Sequence, residues 1–189
     1  MKKLITNILV ASAFLISIGS TNSCSKVEDI IDITVPVPFA IPVNIETTIP
    51  FVVSTEYVKS PEIPLNLDLD AKIKEKFPSM SINNLKSAKL SSFSVDFMSS
   101  SNNNAIKLDK VKNAELLIVA PGLAEKTIAT VTNNTSPDAL NFTPNADVEL
   151  MEYLKSKQSA VILKMQGSET AATQMKIRIN ASFKIQVGL

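Results

Sequence analysis

The chain has 189 residues, with 19 basic against 18 acidic side chains, no histidine, no tryptophan and a single cysteine. A net charge of +1 gives none of the strongly basic footprint that binds a phosphate backbone, so nucleic acid is excluded as a partner. With histidine absent and one cysteine, the commonest general base, the nucleophile pairs that depend on it and the usual zinc ligands are missing together, which weighs against an enzyme and implies no cofactor.

Met1-Lys2-Lys3 opens the chain, an apolar run extends from Leu4 to Ile18, and Gly19 to Ser23 turns small and polar. These are the three regions of a secretory signal peptide, residues 1–23. The apolar run falls short of the roughly 20 residues that span a bilayer as a helix. Cys24 follows directly. A lone cysteine in an exported chain is a free thiol, an intermolecular bridge or a modified side chain. The run Thr21-Asn22-Ser23-Cys24 resembles the lipobox of bacterial lipoproteins, and the Lys26, Glu28 and Asp29 beyond it look like the lysine-plus-acidic export signal of Bacteroidota surface lipoproteins. The resemblance implies that Cys24 carries a diacylglyceryl group, that residues 24–29 are a lipidated tether, and that the protein is anchored to the outer membrane on its periplasmic or its surface-facing leaflet. Each buried methylene of such an anchor adds about 0.8 kcal/mol, and two or more chains hold a protein stably. Loss of Lys2 and Lys3 with the signal leaves the mature chain near neutral.

Residues 30–189 are the size of one ordinary domain. From Ile31 to Phe51 the odd positions are almost all apolar and the even ones, Ala40 apart, polar or proline, the period of a strand with one buried face. A straight strand of that length would reach about 70 Å at roughly 3.3 Å per residue. The expectation is therefore two edge strands with a bend at Pro38–Pro42, since proline cannot donate to a ladder. The alternations Ile63-Leu65-Leu67-Leu69 and Phe93-Val95-Phe97 read as half-buried strands. A short helix is expected over Asp70–Phe77, where Ile73 and Phe77 are four apart. Ala114–Ala120, apolar on both faces after Glu115, suits a central strand, ended by a turn at Pro121-Gly122. Ile128–Val131 and Ala160–Met165 are shorter strands, and Asn145–Lys157 carries the acidic-early, basic-late charge order of a helix. The closing segment Met175–Val187 alternates most clearly of all, with its odd side chains expected in the core. Ser99–Asn104 and Thr132–Asp138 read as loops. The fold class is all-β, an antiparallel β-sandwich of Greek-key or jelly-roll type with one or two short helices.

Few side chains suggest chemistry. Asn66, Asp68 and Asp70 would share a strand face, where oxygens converge on a hard cation such as calcium, although a solvated face accounts for them more simply. Lys176, Arg178 and Lys184 on the outer face of the last strand could dock an anion, or keep the sheet soluble and blunt an edge. Tyr57 and Tyr153 are the only amphipathic rings available to stack on a sugar, with Tyr153 expected to pack from its helix. The reading favoured is a non-catalytic, lipid-anchored envelope protein that binds or scaffolds a protein or glycan partner. A carbohydrate-binding accessory lipoprotein of a glycan-uptake system is the alternative. A histidine-free hydrolase would need two carboxyl groups about 5–10 Å apart across a cleft.

Overall fold

The computed structural model describes residues 37–188. The signal segment, Cys24, the tether and the alternation from Ile31 to Val35 lie outside the described residues.

The elements in chain order are β1 (Val37–Val53), β2 (Val58–Lys59), β3 (Ile63–Pro64), α1 (Leu69–Lys76), β4 (Leu85–Ser100), β5 (Val111–Val119), β6 (Lys126–Val131), β7 (Ala139–Pro144), α2 (Met151–Lys155), β8 (Ala160–Gly167) and β9 (Ala171–Val187). The fold is all-β and antiparallel with two short helices, as expected from the sequence. Its strands form one hydrogen-bonded sheet in the order β1-β9-β4-β7-β6-β5-β8-β2, with β3 also on β8. Strands β5, β6 and β7 follow one another, and β8 returns to lie beside β5, a Greek-key connection. The sheet curls into a half-barrel, and both of its halves send side chains into one core, from Ile41 and Phe51 in β1 to Leu116 and Ile118 in β5. The layers expected of a sandwich are thus two halves of one sheet.

The expected break in β1 does not occur. The strand pairs with β9 without interruption from Val37↔Val187 to Val53↔Ala171. Pro38, Pro42 and Pro50 all have even numbers and oppose Gln186, Ser182 and Gln174. Antiparallel pairing uses the N–H groups of alternate residues only, so an edge strand whose prolines share one parity loses no bond to its neighbour. The expected facing holds. Ile41, Val43, Ile49, Phe51 and Val53 are buried, and even positions from Pro38 to Val52 are exposed.

Length is accommodated by curvature instead of a break. The register of β4 against β9 shifts at Leu85/Ser87, Leu90/Ser92 and Phe97/Ser99, and such bulges bend and twist a strand. Each shift exchanges the inward parity, so Ala88 and Leu90 point inward before the second and Phe93 and Val95 after it.

Strand β9 lies between β1 and β4, with Met175, Ile177, Ile179, Phe183, Ile185 and Val187 no more than 1% exposed. β5 is central and buried on both faces across Leu116, Leu117 and Ile118. The strand read through Leu69 stops after Pro64. Asn66 adopts a left-handed φ of 49°, which ends the extended run, and Asp68 then caps α1 by accepting from the Ala71 N–H at 3.0 Å. Ile63, Leu65 and Leu69 nevertheless remain buried. Helix α2 is shorter than expected because Leu150 gives its N–H to the Ala88 carbonyl of β4 at 2.8 Å.

Candidate functional site

Among the described residues, the outer edge of β1 carries no ladder partner. Facing it across a groove are the segment Leu65–Asp68 and the first turn of α1. The groove has a volume of about 560 Å³, with Pro42 to Glu46 along one wall and Leu65 to Asp68, Ala71 and Lys72 along the other. A smaller hollow of about 250 Å³, between Phe39–Pro42 and the α1 residues Lys72, Glu75 and Lys76, continues the line towards the start of β1. Consecutive residues of both parities line the β1 wall, as a strand edge would and a strand face would not.

The charges on the rim are matched internally. Glu46 receives Arg178 Nη2 at 2.7 Å and Lys176 Nζ at 3.3 Å, and the Arg178 bonds followed by those from Lys176 hold its carboxyl below the usual carboxylate range. Of the expected anion-docking trio, Lys176 and Arg178 are therefore committed to a carboxylate on the neighbouring strand. They stand on a central strand, not an edge. Asn180, next along the same face, bonds Asn44 at 2.7 Å and Asp96 at 2.8 Å. Lys184 remains exposed and directly opposes Lys89 of β4.

Asn66, Asp68 and Asp70 do not share a strand face. The Ala71 N–H and then Lys157 at 3.1 Å draw the Asp68 pKa down. Lys74 at 2.6 Å and the Ile82 N–H at 2.8 Å do the same for Asp70. These oxygens cap a helix and pin a turn. Among the described residues no three acidic or cysteine side chains gather as a metal-binding group.

Tyr153 is 9% exposed and donates its hydroxyl to the Ala124 carbonyl at 2.7 Å, the packing role expected of it. Tyr57 is the single exposed aromatic among the described residues, and Lys164 Nζ sits over its ring at 4.6 Å while pairing with Glu115 at 3.1 Å.

One carboxylate that the sequence marked only as an early acidic residue of the expected helix, and not as a site, is Glu149. Its Oε1 accepts from the N–H groups of Ala88, Leu150 and Met151, and its Oε2 from the Ser87 hydroxyl at 2.7 Å, tying β4 to the start of α2. Burial pushes its pKa up, but the four hydrogen bonds outweigh that and leave it lowered. A group with a lowered folded pKa contributes stability above its unfolded value, here near 4.5, and loses it as pH falls through the folded value. Glu149→Gln should therefore cost about 1–2 kcal/mol at neutral pH, on the scale of hydrogen bonds to a charged group. Urea unfolding of both proteins from pH 7 to 3 should show the difference shrinking below pH 4.5. A difference independent of pH would mean that the charge of Glu149 contributes nothing.

Compared with known protein families and with curated protein sequences, the chain matches none.

Proposed function

We propose that this protein is a non-catalytic lipoprotein, anchored through Cys24 to the outer membrane, which acts by binding or scaffolding another macromolecule at the cell envelope. The observation that carries the reading is the placing of Cys24, where an apolar segment of signal-peptide length ends and charge begins. No helix among the described residues is long and apolar enough to cross a membrane. Among the described residues, every carboxylate with a displaced pKa is displaced downward, Glu46, Asp68, Asp70, Glu149 and Glu169 alike. A general acid for glycoside hydrolysis needs the opposite shift, and this supports the non-catalytic reading. A protein partner is favoured over a glycan because Tyr57 is the single exposed aromatic ring among the described residues and Lys164 already occupies one of its faces, which leaves little aromatic surface for a sugar to stack on.

Cys24→Ala should move the protein from the membrane fraction to the soluble fraction and abolish incorporation of an alkyne fatty-acid probe. Wild-type protein that stays in the membrane fraction without taking up the probe would rule out the lipid anchor.

A further inference from the structure

We propose that the groove beside β1 receives an extended polypeptide segment of a partner protein, added to the sheet as a further strand. The inference rests on the binding role proposed above but not on the lipid anchor.

Among the described residues, β1 has β9 as its one ladder neighbour. The even-numbered residues, the parity that includes its prolines, turn their N–H and C=O groups away from β9 towards the groove. Pro38, Pro42 and Pro50 remove donors from this row and leave a window at Asn44, Glu46 and Thr48. The window's first two donors stand on the wall of the larger part of the groove. On the opposite wall, Asn66 and Leu67 make no backbone hydrogen bond with any described residue. The space between is thus bordered by main-chain polar groups, with the apolar side chains of Val43, Ile45, Leu65 and Leu67 between them.

Charge narrows the occupant further. The rim charges Glu46, Asp68 and Lys72 are each paired within the protein, with Arg178 and Lys176, with Lys157 and with Glu75. An ionic ligand would have to displace those partners. What remains on offer is alternating donors and acceptors beside an apolar floor, and an extended main chain supplies the complement of both, its side chains entering on alternate residues. The volume of about 560 Å³ is within the usual size of a binding cleft. A second copy of the chain fits less well, because its own β1 edge carries the same three prolines, so both rows of an edge-to-edge pair would be interrupted, whereas a partner segment brings an unbroken row.

Panning a phage-displayed library of random peptides of about nine residues, long enough to cross the window at roughly 3.3 Å per residue, tests this on the full chain. The same library is panned on Asn44→Ala, which keeps the N–H, and Asn44→Pro, which deletes it at a parity where β1 already holds prolines. Peptides enriched on wild type should bind the alanine variant within about twofold and the proline variant roughly tenfold more weakly, the scale of one hydrogen bond. Hydrogen exchange on wild type, which needs no variant to fold, should show the Glu46 amide becoming protected when an enriched peptide is added. The proposal is overturned if no peptide is enriched, if the proline variant binds equally well, or if the Glu46 amide is already protected in the free protein. The last result would mean that the chain itself or a second copy fills the groove. Membrane release of Cys24→Ala is read separately, so failure here and failure of the anchor are distinguishable.

Discussion

Phe183→Ala should destabilise the domain by about 3–5 kcal/mol, the range for removing a buried phenylalanine ring. Phe183 is 1% exposed and lies in the central strand of three, with Ile41 opposite it on β1 and Leu90 on β4. Its inward position is fixed from both sides, so the core has little freedom to collapse into the space left. At roughly 2–4 °C per kcal/mol for a domain of this size, the melting temperature should fall by on the order of 10 °C. Lys184→Ala, one residue along, should stay within about 0.5 kcal/mol of wild type. Its side chain faces water, and its cross-strand neighbour Lys89 carries the same charge, so removing it relieves a small repulsion. Thermal unfolding at one concentration for all three proteins compares them without bias from association. Equal losses from the two substitutions would refute the register, because a slip of one residue exchanges the faces of a strand.

That register was legible in the sequence because β9 alternates without a fault from Met175 to Val187 and pairs with β1 without a shift. β4 was legible only in part. Its bulge at Leu90/Ser92 changes the inward parity midway, so no single period runs from Leu85 to Ser100 and only Phe93, Val95 and Phe97 stood out. β7 escaped notice because Leu140 and Phe142 are its only buried alternating pair. The alternation from Ile63 to Leu69 gave the right burial but the wrong backbone. Asn66 in the left-handed region and Asp68 as a helix cap use side-chain properties that a hydropathy period does not register.

The groove beside β1 was legible in the sequence only as an inconvenience. The reach of a straight strand and the run Pro38–Pro42 suggested a bend, whereas the common parity of Pro38, Pro42 and Pro50 is the signal of an unbroken strand with its donor row turned outward. What no pattern along the chain could supply is the wall across from it, since Leu65–Asp68 reaches β1 only through the curl of the sheet. Glu149 is similar. Its ties to Ser87 and Ala88 span some sixty residues of sequence, and the acidic-early charge order of the helix shows only its local bonds to the Leu150 and Met151 N–H groups.

Gly167→Ala should be strongly destabilising for the addition of a single methyl group. Gly167 ends β8 where the far ends of the sheet approach each other, and its N–H donates to the Ser54 carbonyl, just past β1, at 2.7 Å. An added Cβ would lie 2.5 Å from the Lys110 carbonyl oxygen and 2.5 Å from Val53 Cγ2. Neither neighbour yields easily. The carbonyl belongs to the turn leading into β5, and Val53 is fully buried with a β-branched side chain confined to few rotamers. Overpacking of this kind costs typically about 1–3 kcal/mol and occasionally more. A double-mutant cycle identifies the cause. Val53→Ala alone opens a cavity and destabilises, but in the presence of Gly167→Ala it removes one of the two clashes, so the pair should be less destabilised than the sum of the singles by at least about 0.5 kcal/mol. Urea unfolding of the four proteins measures the coupling. Additivity within about 0.3 kcal/mol would show that Val53 does not confine Gly167, and that the junction between the two ends of the sheet is looser than its geometry requires.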